Sequence, residues 1–167
     1  MSRERSPKRS GRWGKFGFSK FRMEKSYGAL DLGTYNCRPL IARPTEPGFR
    51  VATSFSRIVR LGEVLSAEGC LSEAAMDRTL DALLVCSKII RDYGVTWTTI
   101  FATEACRRAV NCSEFLNRVE RVTGLILKII PSKEEAPFAM VGCQSLLTKS
   151  VPYVLVFNIG GGSTELI

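Results

Sequence analysis

Histidine is absent from all 167 residues. Its absence removes the commonest general base and any Cys–His nucleophile, so hydrolytic chemistry here would have to rest on carboxylates, cations or a metal ion. There is no CxxC pair either: the six cysteines stand at positions 37, 70, 86, 106, 112 and 143. Neither the thiol spacing nor an imidazole offers the ligands of a zinc site. Scattered thiols on apolar segments suit a reducing cytoplasm, the expected location. No apolar run approaches the roughly 20 residues of a membrane span, so no membrane partner is expected. The N-terminal stretch also lacks the apolar h-region of a secretory signal.

Basic charge is present, but unevenly. The formal net charge is +8. Almost all of it lies in residues 1–25, where Lys and Arg alternate with Ser, Gly, Trp13, Phe16, Phe18 and Phe21. This stretch reads as a disordered basic tail. It is either a solvated leader or an arm with weak attraction to polyanions. The remainder is nearly neutral and offers no basic nucleic-acid face.

Residues 26–32 read as a first strand and Gly33-Thr34-Tyr35-Asn36 as a turn. A return strand begins at Leu40, where Pro39 is awkward because it removes a ladder donor and favours an edge or a bulge. Pro47-Gly48 makes the next turn, and Phe49 to Leu61 alternates as one longer strand. A helix opens at Ser72 as N-cap and ends at Gly94, with Met76, Leu80, Leu83, Ser87 and Ile90 on one stripe. Thr98–Phe101 is a strand, 102–110 a short helix or turn, and Ser113–Thr123 a helix closed by Gly124. Leu125–Ile130 is another strand, about 133–147 a helix, and Tyr153–Asn158 a buried strand. A meander followed by alternating helices and strands predicts an α/β fold: a mixed sheet covered by helices.

In such a sheet, ligands bind beyond the carboxyl ends of the parallel strands. Asp31, the segment Ala102–Arg108 and Asn158 fall at strand ends, and Glu134 and Glu135 open a helix. The run Gly160-Gly161-Gly162-Ser163-Thr164-Glu165 is the most suggestive stretch. Glycines let a ligand approach backbone N–H groups, which form anion cradles, and a carboxylate beside them suits hydrated Mg²⁺. Each feature also has a plain structural reading: a flexible hairpin for the glycines, an Asx turn for Asp31, helix capping for Glu134 and Glu135, a surface charge for Arg107.

Together, the stretches Ala29–Thr34, Arg60–Glu63, Leu71–Arg78, Ala102–Arg107, Glu134–Ala136 and Ile159–Glu165 resemble the exopolyphosphatase / guanosine pentaphosphate phosphohydrolase family of the actin–Hsp70–sugar-kinase superfamily. No single motif is decisive, but six in order are specific. The resemblance implies a ribonuclease-H-like (actin-like ATPase) domain over 26–157. It implies that 158–167 carries the second phosphate loop and the first strand of a second domain, the site lying in the cleft between the two. It implies Gly33, Thr34, Asn36, Arg107, Gly160, Gly161, Gly162 and Ser163 as phosphate-binding residues, and Glu135 as the catalytic glutamate. Asp31, Asn158 and Glu165 are implied around a divalent metal, Mg²⁺. The implied reaction is hydrolysis of a terminal phosphoanhydride of polyphosphate or of guanosine pentaphosphate, in a family protein expected to be a homodimer. A truncated or degenerate phosphate-binding module without turnover is the alternative, and a polyanion-binding adaptor acting through the tail a third. The departures from the family pattern are Asn158 in place of Asp, Tyr35 in place of a small polar residue, Pro39 within a strand, Lys133 in place of Gly, Pro137 in place of Arg, and Val64 and Val110.

Overall fold

The structure, a computed structural model, describes residues 25–46, 48–147 and 152–167. The predicted basic tail, Lys25 apart, lies outside the described residues, as does Pro47 of the predicted Pro47-Gly48 turn.

Strand β1 (Tyr27–Leu32) is the centre of the sheet. Its alternation buries Leu30 and Leu32 on the core face and leaves Tyr27, Ala29 and Asp31 on the other, as the pleat requires. It pairs antiparallel with β2 (Asn36–Thr45) and parallel with β5 (Trp97–Ala102). Strand β3 (Gly48–Ser54) and the short β4 (Arg57–Ile58) pair with β2, and β6 (Lys128–Ile129) lies beside β5. The order β3-β2-β1-β5-β6 is the predicted mixed sheet, a meander on one side and parallel strands on the other.

Helices α1 (Leu65–Glu68), α2 (Glu73–Asp92), α3 (Glu104–Arg108), α4 (Cys112–Thr123) and α5 (Ser132–Cys143) connect these strands. Ser72 caps α2 as predicted, its hydroxyl accepting from Ala75 N at 3.2 Å. The α2 stripe packs with Leu30, Leu32, Phe115 and Val119 into one core. Ser87 is buried on that stripe and donates to the Thr123 carbonyl at 2.9 Å, tying α2 to the end of α4.

Several boundaries differ from expectation for physical reasons. The long strand predicted over 49–61 is broken after Ser54. The break faces Pro39, whose carbonyl accepts from Phe55 N at 3.1 Å. A strand residue's N–H and C=O point to the same side, so the donor that Pro39 lacks is missing there, and the outer partner leaves the ladder. Pro39 does not make β2 an edge: β2 runs between β1 and the β3–β4 pair, with its irregularity at Ile41/Ala42. Helix α1, closed by Gly69 at φ 69°, has no counterpart in the sequence prediction. Strand β6 is shorter than predicted, and α5 gives way to a 3₁₀ turn at Gln144–Leu146.

The run predicted as a buried strand is the largest correction. Tyr153, Leu155, Phe157 and Ile159 are exposed, and only Phe157–Ile159 is strand (β7). It pairs with β8 (Thr164–Leu166) as an antiparallel hairpin.

Candidate functional site

The parallel strands end level. Leu32 of β1 stands beside Ala102 of β5, which stands beside Ile129 of β6. The segments that leave the three strands therefore emerge side by side: the turn at Gly33, Thr103 leading into α3, and Ile130 leading into α5. Two backbone bonds hold the row together, Thr103 N to Leu32 O and Ile130 N to Ala102 O, both 3.1 Å. This is the sheet edge at which the sequence predicts a site.

A cleft of about 240 Å³ opens there. Asp31, Gly33, Thr34, Asn36 and Glu135 line one side, and Asn158 with Gly160–Ser163 of the β7–β8 turn lines the other. Ten of the twelve site residues expected from sequence thus meet in one cavity, while Arg107 and Glu165 stand outside its lining.

The first turn is clamped from two directions. On one side Tyr35 O accepts from Val59 N at 2.9 Å and Arg60 N at 3.1 Å, and Thr34 O accepts from Gly62 N at 3.1 Å. On the other the glycines of the second turn press against it. A Cβ on Gly161 would sit 2.9 Å from Tyr35 Cβ and 3.3 Å from Tyr35 N, and one on Gly162 would sit 2.7 Å from Thr34 Oγ1. These glycines therefore serve contact between the turns as well as access for a ligand. The amides of Gly33 and Gly160 are used within their own turns, bonding Asn36 O and Ser163 O at 2.9 Å. An anion cradle here draws on the remaining amides. We expect Gly161→Ala to cost about 1–2 kcal/mol of hairpin docking. Amide exchange across β7 and β8 should then accelerate roughly tenfold, and unchanged exchange would show that the turns do not depend on this contact.

Arg107 is held by Glu104 of its own helix and by two residues distant in sequence, Ile130 and Glu135. Its Nε donates to Glu104 at 3.0 Å, and its Nη1 donates both to the Ile130 carbonyl at 2.8 Å and to Glu135 at 3.0 Å. Nη2 lies 2.9 Å from Glu104 Oε2 but makes no aligned hydrogen bond, which leaves it a buried donor without an acceptor. Burial opposes the Arg107 charge, yet the bonds to Glu104 and Glu135 outweigh it and raise its pKa. The guanidinium thus fixes Glu135 at the cleft wall.

Asp31 reaches solvent through the cleft, but surrounding protein and the charge of Glu135 push its carboxyl above its ordinary value; Arg38 opposes them. Arg38 faces Asp31 across the β1–β2 ladder and lines the same cleft. It was not singled out from sequence, although the short turn between β1 and β2 makes Asp31 and Arg38 cross-strand neighbours. Thr103, also in the lining, appeared in the sequence reading only as part of its segment.

The folded chain holds the Asp31 proton more tightly than the unfolded chain does. Ionisation therefore costs stability as pH rises through the raised folded value, and the cost is absent below the ordinary value of 3.8. Asp31→Asn is expected to raise the melting temperature at pH 7 in the presence of a chelator, with the gain vanishing near pH 4. A melting temperature that falls at pH 7 would contradict this.

Glu165 is 7% exposed and buried directly opposite Asn158 in the hairpin. Its Oε2 accepts from Asn158 Nδ2 at 2.7 Å, and its Oε1 is buried without a hydrogen-bond partner. Among the described residues, no three acidic, Cys or His side chains converge as a ready-made metal cage. The donor set still suits a hard, hydrated divalent cation, which needs only one or two carboxylates and keeps its waters. Asp31, whose carboxyl is held above its ordinary value by burial and Glu135, and the unpartnered Glu165 oxygen have that character.

Residues 40–167 match the model of the Ppx/GppA phosphatase family. The chain is 36% identical, over 141 residues, to a guanosine-5'-triphosphate,3'-diphosphate pyrophosphatase of Aeromonas hydrophila, covering 84% of this chain and 28% of that protein. The fold is that of the Aquifex aeolicus Ppx/GppA family member, at 33% identity and TM-score 0.75 over 85% of this chain and 46% of the other. It also matches an exopolyphosphatase from Cytophaga hutchinsonii, at 26% identity and TM-score 0.80 over 86% of this chain and 46% of the other. The ribonuclease-H-like, actin-type α/β domain predicted from sequence is therefore the fold observed. The chain spans under a third of the curated relative's length and under half of these solved chains.

Proposed function

The chain belongs to the Ppx/GppA phosphatase family, and from that premise we propose that its cleft binds the terminal phosphates of polyphosphate or guanosine pentaphosphate and serves their Mg²⁺-dependent hydrolysis. The observation that carries this reading is the meeting of two glycine turns with Asp31, Glu135 and Asn158 around one cavity.

Phosphoryl transfer needs charge neutralisation and an aligned nucleophile more than covalent chemistry. Backbone amides of the two turns and the Arg38 cation face the phosphates. Glu135, lining the same cleft, orients a water and accepts its proton as the phosphorus–oxygen bond to the leaving phosphate breaks. Arg107 acts through Glu135, holding the carboxylate in place. Asp31 and Glu165, with the Asn158 amide, are the residues that would hold a divalent ion. When bound, such an ion supplies charge neutralisation at the phosphate oxygens.

One observation favours the second reading, binding without turnover. Where the family pattern has Asp, Asn158 places its amide on Glu165 and occupies one of that carboxylate's oxygens. The two readings separate in one experiment. The full chain is incubated with polyphosphate and Mg²⁺, and free phosphate and bound polymer are measured together. Release abolished by chelator supports hydrolysis, binding without release supports the second reading, and absence of binding overturns both. By family resemblance we propose a homodimer for the complete family protein and a cytoplasmic setting; among the described residues no helix is long and apolar enough to cross a membrane.

A further inference from the structure

Tyr35 lines the cleft and is 41% exposed. The Arg60 guanidinium carbon lies 5.8 Å from the centroid of that ring. Arg60 has φ 49°, the single non-glycine residue with positive φ among the described residues. Such a backbone persists only where its surroundings impose it. Here they do: Arg60 N and Val59 N both donate to the carbonyl of Tyr35 itself, Val59 is fully buried, and Glu63 N donates to Arg60 O at 3.2 Å. The strained segment is thus moulded on Tyr35 and delivers a cation onto its ring.

We propose that the Tyr35–Arg60 pair is a nucleobase platform, so that the cleft selects nucleotide polyphosphates over inorganic polyphosphate. This rests on the phosphate-cleft reading above and assigns the substrate class within it. An inorganic chain offers only oxygens and phosphorus, and no part of it uses an aromatic face. A nucleoside does: bases stack on tyrosine and on guanidinium planes, whichever base is present. The guanidinium lies over one face of the ring, and the exposed part of Tyr35 in the cleft lining is the surface offered to the ligand. It also sets positive charge beside the first phosphate turn, where the charged end of the same molecule lies. Tyr35 belongs to that turn and touches Gly161 of the second, so a base on the ring lies within one nucleotide's reach of both turns. A small polar residue at 35 would place no π surface there. The ring is therefore a gain of recognition surface, although the same bulk narrows the cleft beside Gly161.

The test is calorimetric titration of the full chain, in Mg²⁺ at fixed ionic strength, with GTP and with inorganic tripolyphosphate. Expected for the native chain is a GTP affinity about tenfold above that for tripolyphosphate, the order that one stacked base contributes. Tyr35→Leu keeps an apolar side chain against Gly161 but removes the aromatic face, and should bring the affinity ratio close to one. Tyr35→Phe, which keeps the face and drops the hydroxyl, should restore it. Arg60→Gln should give an intermediate ratio. A native ratio near one, or a ratio that Tyr35→Leu leaves unchanged, overturns the platform while leaving the phosphate cleft standing. Failure of the native chain to bind either GTP or tripolyphosphate overturns the phosphate cleft and the platform together. Circular dichroism of each variant separates lost binding from lost folding, and because Phe is isosteric with Tyr, the Phe comparison reads the platform even where Leu is poorly folded.

Discussion

Replacing Arg107 with alanine should lower the melting temperature by about 6–12 °C, the shift that about 3 kcal/mol produces in a chain of this size. The reason lies in what remains after the guanidinium is gone. The side chains of Arg107, Glu104 and Glu135 are 15%, 21% and 18% exposed. Removing the cation leaves two largely buried carboxylates facing each other and the Ile130 carbonyl without its donor. Uncompensated buried charge costs about 3–5 kcal/mol, and the residual exposure of this group argues for the lower end. Arg107→Lys should recover only part of the loss, because an ammonium cannot reach Glu104, Glu135 and Ile130 O with one rigid fork. Thermal melts of the native chain and both variants check this. A drop under about 2 °C for Arg107→Ala would mean that water already solvates the trio, as at an exposed salt bridge.

Glu135→Gln should reduce phosphate release by roughly 10²–10⁴-fold, the usual contribution of a positioned general base. Glutamine keeps the shape and can still accept from Arg107 Nη1, so it removes basicity while largely keeping the contact at 3.0 Å. Glu104→Gln is the matched comparison. Glu104 shares the same guanidinium but does not line the cleft, so its loss of charge should alter release far less. Phosphate release under identical Mg²⁺ and polyphosphate, with binding measured alongside, reads both. Equal losses in the two variants would point to a structural role for the acids; release indifferent to Glu135→Gln would remove the glutamate from the mechanism.

Much of this arrangement was legible in the residues because it is local. The glycine turns, the Ser72 cap and the α2 stripe are set by neighbours a few positions apart, and these settle where elements start and which face is apolar. What is decided across the chain was not legible. Arg107 read from its residues alone as a surface charge, with a phosphate role implied by the resemblance; its contact with Glu104 is local, but its bonds to Ile130 and Glu135 exist only once β5 and β6 lie side by side. The apolar run at 153–157 read as buried because hydrophobicity records what a segment tolerates, whereas burial requires something to pack over it. The break between β3 and β4 was half visible: Pro39 announced a missing donor, but which partner would lose it depended on which side of β2 the residue faces. Tyr35 drew notice as a departure from a pattern; its partner Arg60 did not, since only the fold brings the strained residue over the ring.

The two neighbours of β1 differ in how soon the chain can deliver them. Strand β2 comes after a short turn, so the pairing of Leu32 with Cys37 closes a small loop and can form within microseconds. Strand β5 joins only when positions 27 and 97 meet, with the whole of α2 between them, and parallel pairing over such a separation is intrinsically slow. The first glycine turn is therefore made early in folding and waits for Thr103, Arg107 and, through β6, Glu135. The binding half of the cleft and its acidic wall are assembled on different clocks, and substitutions that loosen the β1–β5 seam should slow the return of activity after dilution from denaturant more than they slow the recovery of the meander.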